Sequence, residues 1–207
     1  MDAVKLFLDY HHRTSRLPQG KRVTESLAAH LGKVGSLLDV GCGDGTNTRR
    51  LADASGATRV VGVEVQPREH TQVPIEPYDG RNLPFPDRSF DAVSLVDVLH
   101  HCEDPQRVLD EAVRVARTMV VVKDHFAFGP VTRKLLYWMD IVGNAKARVP
   151  TPGTYFALRD WVRMVDRAHG RIAAIDWPLK THDLPWRLVG WPELQFTAKI
   201  VPVATSS

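Results

Sequence analysis

The chain contains 207 residues, of which 43% are hydrophobic and 25% are charged. These fractions are typical of globular proteins and exclude a wholly disordered or fibrous chain. The length fits one domain over residues 1–207 better than two domains with a linker. The net charge of +3 is small and the basic residues are scattered, so nucleic acid is not an expected partner. Two cysteines, Cys42 and Cys102, are too few for a framework of disulfides.

Predicted strands alternate with predicted helices along the chain. Apolar residues at helical spacing predict helices over residues 46–54, 105–116 and 158–168. Short apolar or β-branched runs bounded by turn residues predict strands over 36–40, 59–65, 73–77, 90–96, 118–123, 171–176 and 194–201. Strands of this kind, apolar without strict alternation, form parallel sheets that are covered on both faces. The fold class that follows is α/β, with a doubly wound, mostly parallel seven-stranded sheet and helices on both faces.

Two segments depart from this alternation. Residues 1–33 are predicted to form a helical cap that precedes the first strand. Residues 125–157 form a long connection rich in aromatic side chains, and connections of this length usually carry function. We therefore interpret 125–157 as an insertion on the substrate side, between a core at 34–124 and the last part of the sheet at 158–203.

The amino-terminal residues do not resemble a secretory leader. Asp2 and an interrupted apolar pattern stand where a leader has a basic segment and a continuous apolar run. No stretch of the sequence approaches the roughly 18 apolar residues that a membrane-spanning helix needs. We therefore expect a protein that is cytoplasmic and has no membrane partner.

The most informative segment is a glycine-rich turn, LLDVGCGDGT at residues 37–46, between the first strand and the next helix. Its glycines allow a ligand to approach the backbone at the carboxyl end of the sheet. The dinucleotide fingerprint G-x-G-x-x-G is not matched, because Thr46 stands where the third glycine is required, and no Walker-type phosphate loop occurs. Asp39 would repel a diphosphate, so the turn favours a cationic ligand. Cys42 has no metal-binding residue at a suitable spacing, and we interpret it as a small residue that allows close packing.

This turn resembles the first motif of class I S-adenosylmethionine-dependent methyltransferases. The chain is also similar to that family in an acidic residue at the end of the second strand, in DGRNLPFPD at 79–87, and in DVLHH at 97–101 after the fourth strand. Within the family, the motifs are most similar to the ubiquinone and menaquinone biosynthesis type, methyltransferase type 11. The resemblance implies a Rossmann-like methyltransferase fold, S-adenosyl-L-methionine as cofactor and S-adenosyl-L-homocysteine as product.

The resemblance also implies which residues bind the cofactor. Glu64 would accept hydrogen bonds from the two ribose hydroxyls, because a carboxylate offers two acceptor oxygens. Asp79 would accept the adenine amino group. The full predicted set is Asp39, Gly41, Cys42, Gly43, Gly45, Glu64, Val65, Asp79, Gly80, Leu83 and Asp97.

Histidines that follow the fourth and fifth predicted strands are the candidate catalytic residues. Transfer of a methyl group to a hydroxyl or a carbon acid needs a base, and histidine is the side chain most often used. The candidates are His125, His101 and His100. An open alternative is that His100 packs beneath the cofactor and that His101 is exposed. A metal ion is not expected, because the spacing shows no close pair of carboxylates.

The predicted function is transfer of a methyl group from S-adenosylmethionine to a small-molecule acceptor by in-line displacement. Two alternatives stay open. One is a methyltransferase that acts on RNA or protein, and the other is a non-catalytic subunit that binds the cofactor and serves a partner. The motifs specify the cofactor and leave the acceptor and the oligomeric state unspecified.

Overall fold

The computed structural model describes residues 17–144, 152–181 and 191–203. The first part of the predicted cap, residues 1–16, and residues 145–151 of the predicted insertion lie outside the described residues. None of the described helices combines the length and the apolar character that crossing a bilayer requires. The division of the chain into cap, core, insertion and last part stays a prediction.

The described residues form seven strands and five α-helices. The strands are β1 (Ser36–Val40), β2 (Arg59–Glu64), β3 (Ile75–Pro77), β4 (Phe90–Val96), β5 (Ala116–His125), β6 (Gly170–Asp176) and β7 (Gln195–Pro202). The helices are α1 (Leu17–Leu31), α2 (Thr46–Ser55), α3 (Pro105–Val115), α4 (Pro130–Asn144) and α5 (Leu158–Arg167). Two short 3₁₀ turns occupy Leu99–His101 and Pro192–Leu194.

The seven strands form one sheet in the order β3-β2-β1-β4-β5-β7-β6. Strands β1 to β5 pair in parallel, whereas β7 is antiparallel to both of its neighbours. This topology confirms the predicted α/β fold class. Because parallel strands share one direction, the carboxyl ends of β1, β2, β4 and β5 meet at one edge of the sheet, where ligands bind in such folds. The predicted site residues lie at the carboxyl ends of strands or in the turns that follow them.

Several element boundaries differ from the predictions. Strand β5 begins at Ala116, directly after α3, and continues to His125, so this histidine is the last strand residue. Strand β3 has only three residues, and prolines at positions 74 and 77 limit it because proline cannot donate a ladder hydrogen bond. A third difference is that α4 forms within the predicted insertion. The predicted strand and helix types are otherwise those observed.

Helices bury both faces of the sheet, as successive residues of β1 show. Leu37 packs in a cluster with Leu27 of α1 and Leu51 of α2. Leu38 packs on the opposite face in a cluster that contains Leu109 of α3. All five residues of β1 are buried, and each fully buried leucine side chain contributes about 1.5–3 kcal/mol. Burial on both faces explains why the strand sequences are apolar without strict alternation.

Arg114 of α3 holds the segment that precedes β4. Its guanidinium donates to the carbonyl oxygens of Leu83 at 3.2 Å and Phe85 at 2.9 Å. It also forms ion pairs with the carboxylates of Glu111 and Asp87, each at 2.7 Å. Glu111 is buried and in turn accepts the backbone N–H of Leu83 at 2.9 Å. The connection from β3 to β4 is therefore fixed to α3 by charged hydrogen bonds.

We expect Arg114→Met to lower the free energy of unfolding by about 2 kcal/mol, because Glu111 would remain buried without its closest cation. Urea unfolding followed by circular dichroism measures this. The control is Arg49→Met, which removes an exposed pair with Asp53 at 3.9 Å. That pair should contribute less than about 0.5 kcal/mol. Equal losses in the two variants would contradict the role given to Arg114.

Candidate functional site

The glycine-rich turn leaves the sheet at the carboxyl end of β1. The N–H of Gly41 donates to the carbonyl oxygen of Val63 in β2 at 2.9 Å, which starts the turn beside the second strand. A Cβ atom at Gly41 would lie only 2.8 Å from the side chain of Val98, so a larger residue does not fit. At Gly43 the heavy atom nearest to such a Cβ is in the mobile end group of Arg68, at 3.8 Å. The backbone at Gly43 is therefore open to a ligand.

Cys42 lies inside the turn and packs against β2. A Cβ atom at Gly62 would approach the Cys42 sulfur to 2.4 Å, so the two residues are in close contact. Burial raises the pKa of the Cys42 thiol well above its usual range. The contact agrees with the interpretation of Cys42 as a small packing residue.

Asp39 lies beneath the turn and is almost fully buried. Its carboxylate accepts hydrogen bonds from the hydroxyl of Thr48 in α2 and from the hydroxyl of Ser94 in β4, the latter at 2.6 Å. Burial raises the pKa of Asp39 from 3.8 to about 6, although both hydrogen bonds oppose the rise. In the structure Asp39 joins three elements, and its predicted contact with the cofactor stays a prediction.

Glu64 connects the end of β2 to the glycine-rich turn. One carboxylate oxygen accepts the N–H of Gly43 at 2.8 Å, and the other accepts the N–H of Val65 at 2.9 Å. The structure thus brings together three residues of the predicted cofactor set. Both oxygens of Glu64 lie beside the open backbone at Gly43.

Asp79 lies in the turn after β3, beside the end of β2. Its carboxylate accepts the N–H groups of Arg81 at 2.8 Å and Asn82 at 2.6 Å, and these bonds lower its pKa to about 2. A Cβ atom at Gly80 would lie 3.4 Å from the side chain of Val65, so this turn abuts the end of β2. Leu83 is buried. Because its N–H already donates to α3, the backbone of this residue is tied to the core, and its predicted role beside adenine stays a prediction.

Two ion pairs meet at the carboxyl ends of β4 and β5. Asp97 has a positive φ of 56°, and its carboxylate is 2.6 Å from the amino group of Lys123, which is 1% exposed. Nδ1 of His100 is hydrogen-bonded to a carboxylate oxygen of Asp124 at 2.6 Å, and both side chains are buried. The Nδ1 atom of His125 lies 3.6 Å from Asp97 and 3.6 Å from Asp124. This nitrogen has no hydrogen-bond partner among the described residues.

The far side of His100 contacts the segment between β5 and α5. Its Nε2 atom is 3.4 Å from the carboxylate of Asp140 in α4, and its ring stacks on Tyr155 at a centroid distance of 5.6 Å. The phenol of Tyr155 donates to Asp140. His101 is partly exposed, and its ring centroid is 4.1 Å from that of His100. Both nitrogens of His100 therefore face carboxylates.

The charges in this cluster give the two central histidines opposite protonation states. Burial alone would lower the pKa of His100, but Asp124 beside Nδ1, with Asp97 and Asp140 farther away, raises it to about 9. Burial and the charge of Lys123 instead lower the pKa of His125. His100 is accordingly a fixed cation near neutral pH, whereas His125 is neutral.

One ligand atom from each of Asp97, His100, Asp124 and His125 lies within 4.8 Å of the others. Two atoms bound to one cation at 2.0–2.2 Å in tetrahedral geometry would be about 3.4 Å apart. The 2.6 Å separation between His100 and Asp124 is instead a hydrogen-bond distance. The arrangement is that of an ion pair, and the expected absence of a metal stays a prediction.

Four members of the cluster are absent from the predicted site residues: Lys123, Asp124, Asp140 and Tyr155. The run VVVKDH at 120–125 carried one signal, because a lysine inside an apolar strand is unusual unless it is paired. The other two residues lie in a segment without a recognisable motif, and their contact with His100 depends on how α4 packs.

Comparison with known proteins identifies the larger part of this region. A family model described as a methyltransferase domain matches residues 38–120, from β1 into β5. This segment is a class I S-adenosylmethionine-dependent methyltransferase domain. It contains the glycine-rich turn, Glu64 and Asp97, which confirms the family resemblance. S-adenosylmethionine is the cofactor of this domain. The structure fits it, because the open backbone at Gly43 and the paired oxygens of Glu64 lie side by side.

Individual relatives agree with this assignment. The chain is 34% identical over 111 residues to 27-O-demethylrifamycin SV methyltransferase of Amycolatopsis mediterranei (strain S699), covering 46% of this chain and 40% of the relative. It is 30% identical over 142 residues to demethylmenaquinone methyltransferase of Renibacterium salmoninarum, covering 60% of this chain and 59% of the relative. The matches thus span about half the length of these relatives. Among solved structures, a chain of the Haloferax volcanii complex that contains the Trm112 methyltransferase activator has a similar fold. Its TM-score is 0.68 at 17% identity, with 98% of this chain and 94% of that chain covered.

The buried carboxyl group of Asp39 makes a testable contribution to stability. Its pKa is about 6 in the folded protein and 3.8 in the absence of the fold, so the folded state binds more protons between these values. The stabilisation that comes from this raised pKa is therefore complete below pH 3.8 and is lost as the pH rises through about 6. The free energy of unfolding of Asp39→Asn, measured relative to that of the natural protein, should therefore increase by up to about 3 kcal/mol between pH 4 and pH 7.

Urea unfolding across this pH range measures the difference between variant and natural protein. Asp91→Asn is the control, and the pH dependence of its effect on the free energy of unfolding should have the opposite sign. Burial would raise the pKa of Asp91, but hydrogen bonds from Ser36 and Arg117 lower it. Its stabilisation is therefore present above the unfolded pKa and is lost as the pH falls. A constant difference between Asp39→Asn and the natural protein would contradict the burial effect.

Proposed function

We propose that the chain is an S-adenosylmethionine-dependent methyltransferase that acts on a small-molecule acceptor. The observation that carries this proposal is the joined arrangement of the open turn at Gly43, the Glu64 carboxylate and the histidine cluster at one edge of the sheet. The names of the two relatives, a 27-O-demethylrifamycin SV methyltransferase and a demethylmenaquinone methyltransferase, support a small-molecule acceptor.

The cofactor would be held by the residues that line the open turn. Glu64 offers two acceptor oxygens, which suit paired ribose hydroxyls, and the backbone at Gly43 allows close approach. When bound, the cofactor supplies a methyl group on a positively charged sulfur. The chain then needs to orient the acceptor, exclude water and accept any proton that the acceptor loses.

His125 is the base in this proposal. Its lowered pKa leaves the imidazole neutral and able to accept a proton near pH 7. The carboxylates of Asp97 and Asp124, each 3.6 Å from Nδ1, favour the proton on that nitrogen. The lone pair is then on Nε2, which takes the proton of an acceptor hydroxyl. His100 is unsuited to this role because both of its nitrogens face carboxylates.

The first experiment is calorimetric titration of the purified protein with S-adenosylmethionine and S-adenosylhomocysteine, with NAD as the control ligand. We expect saturable binding of both sulfur compounds and none of NAD. A panel of hydroxyl-bearing small molecules, RNA and protein acceptors then tests turnover by the release of S-adenosylhomocysteine. Turnover of RNA or protein alone would replace the small-molecule acceptor, and binding without any turnover would favour a non-catalytic subunit.

A pair of glycine variants tests the position of the cofactor. Gly43→Ala should weaken S-adenosylmethionine binding at least about tenfold, because a methyl group would fill the backbone approach. Gly56→Ala is the matched control. Gly56 also has a positive φ, of 75° against 61° for Gly43, and its nearest neighbour is likewise a flexible side-chain end at 3.8 Å. Both variants carry a similar backbone penalty of about 1 kcal/mol. Equal cofactor affinity in the two would place the ligand elsewhere.

Replacement of the base should separate catalysis from cofactor binding. We expect His125→Asn to lower kcat by about 10²–10⁴-fold with an acceptor from the panel, because general-base catalysis contributes that much. The dissociation constant of S-adenosylmethionine should stay unchanged. His169→Asn, at a turn after α5, is the control and should retain full turnover. An unchanged kcat in His125→Asn would assign the base to another group.

A further inference from the structure

Asp140 and Tyr155 belong to the segment between β5 and α5, for which the motifs give no role. Both reach the histidine cluster. Asp140 lies 3.4 Å from Nε2 of His100, and Tyr155 donates to Asp140 while its ring stacks on that of His100. Tyr155 is 4% exposed, so this contact is buried.

Building on the proposed function, we propose that Asp140 and Tyr155 are positioning residues that act on the base through His100. The path from Tyr155 to Asp124 has three links. Tyr155 donates to the Asp140 carboxylate, Asp140 lies 3.4 Å from Nε2 of His100 as an ion pair without a hydrogen bond, and Nδ1 of His100 bonds to Asp124 at 2.6 Å. Neither residue needs to touch the acceptor to affect the reaction.

A fourth link connects Asp124 to His125. The same oxygen of Asp124 that bonds to His100 also accepts the backbone N–H of His125 at 2.8 Å, and it lies 3.6 Å from Nδ1 of that residue. A displacement of His100 would therefore change the carboxylate that fixes both the backbone and the ring of His125. The positioning effect thus operates over two hydrogen bonds.

His100 is charged because several elements place groups around it. Asp124 from β5, Asp97 after β4 and Asp140 from α4 favour its charged form. The rings of His101, His125 and Tyr155 pack around it at centroid distances of 4.1, 5.2 and 5.6 Å. Lys123, the other cation of the cluster, is paired with Asp97. Asp140 is the carboxylate of this set that comes from the segment beyond β5, so its removal lowers the pKa of His100 without altering the strand ends.

A purely structural role of Asp140 and Tyr155 would give a different experimental result. If Asp140 and Tyr155 only anchored α4 and residues 152–157, their replacement would lower stability and leave the protonation of both histidines unchanged. Asp160 provides a comparison, because it anchors the same segment by accepting the N–H of Ala157 at 3.1 Å and does not touch the cluster.

The test is nitrogen NMR of the histidine rings in the full-length protein, with Asp140→Asn and Tyr155→Phe as variants. Asp160→Asn is the matched control. We expect Asp140→Asn to lower the titration midpoint of His100 by about one pH unit or more, because a facing carboxylate is neutralised. Tyr155→Phe should cause a smaller fall. In both variants the Nδ1–H form of His125 should give way to a mixture of the two neutral forms. The Asp160→Asn control should match the natural protein.

Calorimetry on the same samples separates this inference from the proposed function. The natural protein and all three variants should bind S-adenosylmethionine with the same affinity. A natural protein that binds no S-adenosylmethionine would contradict the proposed function, whereas the NMR result would still report the coupling. A folded Asp140→Asn with unchanged His100 midpoint and unchanged His125 protonation would overturn the inference, whatever the cofactor affinity.

Discussion

The arrangement of the site depends on one buried carboxylate, that of Asp39. It lies within the central parallel strand, and its two hydroxyl partners, Thr48 and Ser94, belong to the helix after the turn and to the neighbouring strand. A buried carboxylate without these donors would be strongly unfavourable, so the three elements are held in one relative position. The orientation of the glycine-rich turn follows from this, and the contact between Gly43 and Glu64 follows from the turn.

A second group of charges lies at the adjacent strand ends, buried except for the side chain of Asp97, which is 38% exposed, and its energetics differ. Buried ion pairs contribute little net stability, although removal of one partner is costly. The pairs Lys123–Asp97 and His100–Asp124 therefore have little value as stabilising contacts alone. Their effect is to set which groups are charged beside His125. Perturbed protonation in a cluster of this kind is typical of a site that handles protons.

The sequence predicted those parts of the site whose residues lie close together in short motifs. The turn at 37–46 and Glu64 could be predicted because strand, glycines and acidic residue lie in short, ordered motifs. Asp140 and Tyr155 could not, because their contact with His100 depends on the packing of a helix in a segment without a motif. The buried N–H of Leu83 is a similar case, since its partner on α3 lies 28 residues away in the chain. Motifs thus predict the glycine-rich turn and the strand ends, and they do not predict the contacts that the segment beyond β5 makes.

The formal charges of the cluster have a consequence for the proposed reaction. Three carboxylates, at Asp97, Asp124 and Asp140, surround two cations, at Lys123 and His100, so one negative charge is left over. In the proposed reaction the bound cofactor would supply a methyl group on a positively charged sulfur, and His125 would gain a positive charge when it takes the acceptor's proton. The leftover carboxylate charge would balance that cation on His125, so no counterion would have to enter when the proton is taken up.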